Sequence, residues 1–174
     1  MHLALPSIAR ALVAGAVAGT VLLATPAAPV QAAQADQVQD RAGHHHKKKK
    51  PTRVERAVDV AVNQKGDPYR YGAAGPGAFD CSGLVFYSFR RAGFSNIPRT
   101  SSAQSHFAHR ISRGNMQRGD LMFFHDSGGV YHVGVFAGYA HGKRLVLHAP
   151  YSGTRVRTDR VWTDSWFPGT LRKR

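Results

Sequence analysis

Apolar residues change their spacing twice along this 174-residue chain. Ala11 to Ala24 is an almost unbroken apolar run, followed by a polar stretch as far as Pro51. Val54, Ala57, Val58, Ala61 and Val62 then recur at helical spacing. Thr52 and Glu55 supply a T-x-x-E capping box at the start of that helix, and Gly66 supplies its stop. An irregular segment, Asp67 to Phe79, carries Gly72, Gly75, Pro76 and Gly77. A second helical stretch follows from Cys81 to Arg91, with Leu84, Val85 and Phe89 facing the core and Gly93 ending it. Pro98 to Ser102 caps a short third helix that reaches about His109. From Asp120 the pattern turns to short β-branched and aromatic runs: Leu121 to His125, Tyr131 to Ala137, Arg144 to His148 and Thr154 to Thr158. Gly-containing turns separate them, as expected of antiparallel strands. Helices first and strands afterwards predict an α+β fold, with the helices packed on one small antiparallel sheet.

The apolar run at the N-terminus is shorter than the roughly 20 residues needed to cross a bilayer, and it ends at Thr25-Pro26 before small residues suited to a signal peptidase. Residues 1–32 therefore read as a signal peptide, with cleavage after Ala32 or Ala35, and the product as secreted, extracellular or wall-associated. No later segment is apolar enough to span a membrane. Residues 33–52, with His44-His45-His46 and Lys47 to Lys50, hold too little apolar surface to fold and read as a disordered linker. Adjacent histidines on a flexible chain do not preform a metal site, so neither metal nor cofactor is expected. Residues 53–174 remain as one folded domain, expected to be a monomer.

Charge changes this picture. The net charge is +14, and from Arg53 onward 18 basic residues still stand against 8 acidic ones. Such a surface favours polyanions: nucleic acid, an anionic membrane or phosphate-rich wall polymers. The arginines are dispersed, and no zinc-finger, helix-turn-helix or aromatic RNA-binding signature occurs, which argues against nucleic acid.

Cys81 is the only cysteine, so no intramolecular disulfide forms. A solitary thiol is most often an inert buried group. Here it opens the second helix in Phe79-Asp80-Cys81-Ser82-Gly83, where unsatisfied N–H groups and the helix dipole favour a thiolate, lowering its pKa. A cysteine nucleophile needs a base and a group to orient that base. His132 and His148 lie in neighbouring strand segments and are the candidates, while His106, His109, His125 and His141 have no such setting.

Six ordered blocks resemble the NlpC-type family of bacterial cell-wall cysteine peptidases. They are Pro68-Tyr69-Arg70-Tyr71-Gly72, Phe79 to Val85, Pro98 to Ser101, Arg118-Gly119-Asp120-Leu121, His132-Val133-Gly134-Val135 and His148-Ala149-Pro150. The resemblance implies a papain-like fold with Cys81 as nucleophile, His132 as base and then acid, and His148 as the orienting residue. It further implies Tyr71, Asp80 and Ser82 near the substrate, Asp80 and Ser82 toward a peptide amine. The N–H of Cys81 becomes an oxyanion donor. Ala73-Ala74 departs from the pattern, where a second Gly is common after Gly72. The activity implied is hydrolysis in peptidoglycan stem peptides at the γ-D-glutamyl to diamino-acid bond. The basic surface would attract anionic wall polymers in place of a separate binding module. A non-catalytic basic wall-binding protein, or an amidase or acyltransferase on the same fold, are the competing readings.

Overall fold

The computed structural model describes residues 50–173; the expected signal peptide and all but the last residues of the expected linker lie outside them. Thr52 caps α1 (Arg53–Val62) through the expected box, its hydroxyl accepting from the Glu55 N–H while the Glu55 carboxylate accepts from the Thr52 N–H. Val54, Ala57, Val58 and Ala61 form the buried stripe of this helix. Asp80 caps α2 (Cys81–Arg91), and Thr100 caps α3 (Ser101–Phe107). A 3₁₀ turn at Arg113–Asn115 leads into the main strands.

The strands are β1 (His109–Arg110), β2 (Leu121–Asp126), β3 (Gly129–Ala140), β4 (Lys143–His148), β5 (Arg157–Arg160) and β6 (Trp166–Thr170). They form one antiparallel sheet in the order β1-β6-β2-β3-β4-β5. The α+β expectation holds. One face of the sheet (Leu121, Phe123, Val133, Val135, Leu147) packs on Val58, Leu84, Val85 and Phe89 of the helices. The other face carries a second cluster of Met122, Phe124, Phe136, Val146 and Trp166. Apolar residues on both faces explain why Leu121 to Phe124 is buried without alternation. Each such side chain contributes on the order of 1.5–3 kcal/mol of burial.

Three strands differ from expectation. The third helix, expected to reach about His109, ends at Phe107, and His109–Arg110 pair as the short β1 with the end of β6. The fourth predicted strand, Thr154 to Thr158, is displaced to Arg157–Arg160, an outermost strand whose charged residues hide the apolar signal. β6 was not anticipated, because Pro168-Gly169 reads as a turn. Pro168 fits because its carbonyl accepts from the Ile111 N–H on the β1 side, where β1 is only two residues long and no ladder donor is needed from Pro168.

Asp120 joins this sheet together at one end. Its carboxylate accepts from the Thr170 hydroxyl (2.6 Å), the Gln117 N–H (2.6 Å) and the Arg172 guanidinium. The Arg-Gly-Asp-Leu block is thus a junction between the start of β2 and the end of β6.

Candidate active site

The segment before α2 folds back on itself and presents the helix start. Asp80 N–H donates to Ala73 O, Phe79 N–H to Pro68 O and Arg70 N–H to Phe79 O. The Asp80 carboxylate then gathers the surroundings: Oδ1 accepts from Gly83 N–H (2.6 Å), Arg99 Nη1 (3.0 Å) and the Ser82 hydroxyl (3.1 Å). Its Oδ2 accepts from Arg99 Nη2 (2.6 Å) and Gly72 N–H (2.9 Å). Burial would raise this carboxyl, but the Arg99 guanidinium and the Gly83 N–H outweigh it and hold Asp80 below the usual carboxylate range. Gln104 Nε2 donates to Ser82 O (2.9 Å) and Pro98 O (2.8 Å), tying α3 to the same turn. A Cβ on Gly83 would stand 2.0 Å from Ala73 O, so only glycine permits this approach.

Cys81 stands at the first position of α2, half-buried, with the N–H groups of the opening turn around it. Burial pushes the thiol up, as does the neighbouring Asp80 carboxylate, while the N–H groups of Val133, Ser82 and Cys81 itself pull it back. The net direction is upward. The thiolate expected from the helix start is therefore not the resting state: desolvation and Asp80 exceed the helix-end donors.

His132 and His148 come together as the strand register dictates. A Cβ on Gly134 would lie 2.3 Å from Val146 Cγ2 and 3.1 Å from His148 Cβ, so the glycine lets β3 and β4 close behind the rings. His132 Nε2 and His148 Nδ1 are 2.8 Å apart, and His148 Nε2 lies 3.1 Å from Asp159 Oδ2. Asp159 stands on β5 opposite Val146, and Arg157 Nε donates to the same carboxylate oxygen at 2.7 Å. Burial would raise Asp159 too, but the bonds from His148 and Arg157 hold it below its ordinary value, hence ionised at neutral pH.

That charge assigns the protons. Asp159 accepts from His148 Nε2–H, leaving His148 Nδ1 to accept from His132 Nε2–H. His132 Nδ1 is left with its lone pair. Burial first, and His148 second, depress His132 to about 3, so it rests neutral. His148 is depressed by burial, partly offset by Asp159.

Cys81, His132, His148 and Asp159 all line one cavity of about 710 Å³, with Tyr69, Tyr131, Tyr151, Pro150 and Trp162 among the other walls. Trp162, half exposed, stacks on Phe124 (centroids 4.4 Å apart, planes at 10°) and on His148 (5.4 Å, 24°). Sequence reading missed both Asp159 and Trp162. Neither has a local signal beyond being a charged residue on a polar strand and an aromatic in a polar connection. Tyr71 is 88 % exposed and is not among the cavity walls; Tyr69 is the tyrosine of that block that lines it. Asp80 and Ser82 are likewise absent from the walls, and their side chains serve the clamp with Arg99. Among the described residues no three His, Cys, Asp or Glu side chains group to hold a metal ion, and no helix is long and apolar enough to cross a membrane.

A neutral thiol and a neutral imidazole with a free nitrogen in one cavity can perform nucleophilic acyl transfer. Comparison with known proteins gives the family. The chain is 43% identical over 97 residues to a "Probable endopeptidase" of Corynebacterium glutamicum, covering 56% of this chain and 43% of that one. It is 37% identical over 123 residues to the murein DD-endopeptidase MepH of Escherichia coli, covering 66% of this chain and 44% of that one. It thus spans less than half the length of either relative. Among solved structures, the NlpC/p60 domain of the peptidoglycan hydrolase SagA superposes with a TM-score of 0.60 at 28% identity, over 68% of this chain and 98% of that domain. The family pattern itself matches residues 66–174, so the chain belongs to the NlpC/P60 family.

Proposed function

We propose that this protein is a secreted, monomeric cysteine endopeptidase that hydrolyses an amide bond in the peptide stem of peptidoglycan, between γ-D-glutamyl and the diamino acid. The observation that carries the reading is the hydrogen-bonded row His132–His148–Asp159, which opens into the same cavity as the thiol at the start of α2. Relatives that are named endopeptidases and a murein endopeptidase support the substrate class.

In the first half-reaction His132 Nδ1 takes the Cys81 thiol proton as Sγ attacks the scissile carbonyl carbon. Because the resting thiol is neutral, proton transfer and attack proceed together. The imidazolium formed at His132 is stabilised through His148 by the Asp159 carboxylate. The backbone N–H of Cys81, at the open end of α2, donates to the developing oxyanion. His132 then returns the proton to the departing amine, leaving a thioester. Water, deprotonated by His132, attacks the thioester; the acid product leaves and the Cys81 thiol is restored. The basic surface draws the enzyme to anionic wall polymers.

Digestion of purified sacculi, with fragment masses read by mass spectrometry, tests reaction and bond together. Release of fragments ending in γ-D-glutamate, abolished by Cys81→Ala, is expected. Unchanged release by that variant would refute the role of Cys81, and fragments of other mass would refute the bond.

A further inference from the structure

We propose that Arg160 forms a carboxylate subsite in the catalytic cavity, which receives the free α-carboxylate of the γ-linked glutamyl residue and selects stems in which that group is not amidated. This deepens the reading above and rests on it.

The cavity has three charged walls besides the histidines: Arg157, Asp159 and Arg160. Two of them are committed. Asp159 accepts from both His148 and Arg157, so the single carboxylate in the cavity is already neutralised by one arginine. Arg160 closes β5, is exposed, and among the described residues makes no ion pair with any carboxylate. One guanidinium therefore remains in surplus on the wall of the cavity that holds Cys81. A guanidinium presents its donors as a planar fork that matches a carboxylate with two parallel hydrogen bonds.

The substrate class supplies the complement. A glutamyl residue linked through its γ-carboxyl keeps its α-carboxylate free, a few bonds from the scissile carbonyl and on the acyl side that stays on the enzyme as thioester. When that α-carboxyl is converted to a primary amide, both the charge and one of the two acceptor oxygens are lost. A cavity with a surplus guanidinium discriminates between the two forms, whereas one with balanced charge does not.

The test uses two synthetic stem peptides identical but for this group, α-carboxylate or α-amide, with wild type, Arg160→Gln and Arg160→Lys. Each protein is first shown to melt as the wild type does, which the exposed position of Arg160 allows. For wild type, kcat/KM should favour the carboxylate by about tenfold, mainly through KM, and the preference should shrink as salt rises. Arg160→Gln should bring the ratio close to one, and Arg160→Lys should keep part of it. A wild type without preference, or a ratio unchanged in Arg160→Gln, overturns the subsite while leaving the endopeptidase reading in place. A wild type that cleaves neither peptide overturns that reading and the subsite with it.

Discussion

Acidification should destabilise this protein through His132 before its carboxylates are protonated. The ring is buried and its folded pKa is depressed to about 3, against about 6.5 in an unfolded chain. Below pH 6.5 the unfolded state binds the extra proton and the folded state does not. The stabilisation is therefore complete above the unfolded value and is lost as pH falls toward the folded one. Between pH 7.5 and 5.0 the loss from this single ring is about 2 kcal/mol, at 1.36 kcal/mol per unit of pKa difference expressed. The figure depends only on the folded value lying well below 5. His148, also depressed, adds in the same direction. Asp80 and Asp159 are held below the carboxylate range and act only at lower pH. For a domain of this size 1 kcal/mol corresponds to roughly 4 °C, so the His132 share is about 8 °C in Tm. Thermal melts followed by circular dichroism at pH 7.5 and 5.0 should show at least this drop in wild type, and a drop smaller by about that amount in His132→Gln. Equal pH dependence in the two proteins, or a wild type indifferent to pH over this range, would refute the assignment of a neutral buried imidazole.

Four other outcomes follow from the geometry. Cys81→Ala should lower sacculus hydrolysis by more than about a thousandfold while its melting temperature stays close to wild type, as compared by product yield and calorimetry. Asp159→Asn removes the charge that supports the imidazolium and should lower kcat on the order of a hundredfold with KM little changed, measured on a stem peptide; an unaltered kcat would separate Asp159 from the catalytic row. Arg99→Leu strips the buried Asp80 of its guanidinium and should cost about 2 kcal/mol in urea unfolding. Gly134→Ala forces Val146 and His148 apart and should cost about 2 kcal/mol with a disproportionate loss of activity.

What the sequence makes legible is what is local. The apolar spacing over Leu84, Val85 and Phe89 and the stop at Gly93 lie within one short segment, and α2 runs from Cys81 to Arg91 as the spacing predicts, with Asp80 as its cap a finding of the structure. β5 is predicted a few residues too early, at Thr154 to Thr158, since Arg157 to Arg160 is polar throughout and takes its bounds from the edge that β4 offers it. β6 was obscured by Pro168, whose acceptability depends on how short its neighbour is. At the site, His132 and His148 sit in recognisable strands, but Asp159 reaches His148 only through the β4–β5 register. The thiol was misjudged for a related reason: helix-end donors are visible in sequence, whereas the burial that opposes them is a property of the assembled cavity.

The solitary cysteine has a practical consequence for measurement. Because Cys81 is the only thiol in the chain and opens into a cavity, any electrophile that enters reports on that one atom. A single mass increment counts competent molecules in a preparation, without a background of surface thiols to subtract. A fluorophore attached there would sit beside Trp162 and the paired histidines, turning occupancy of the cavity into an optical signal.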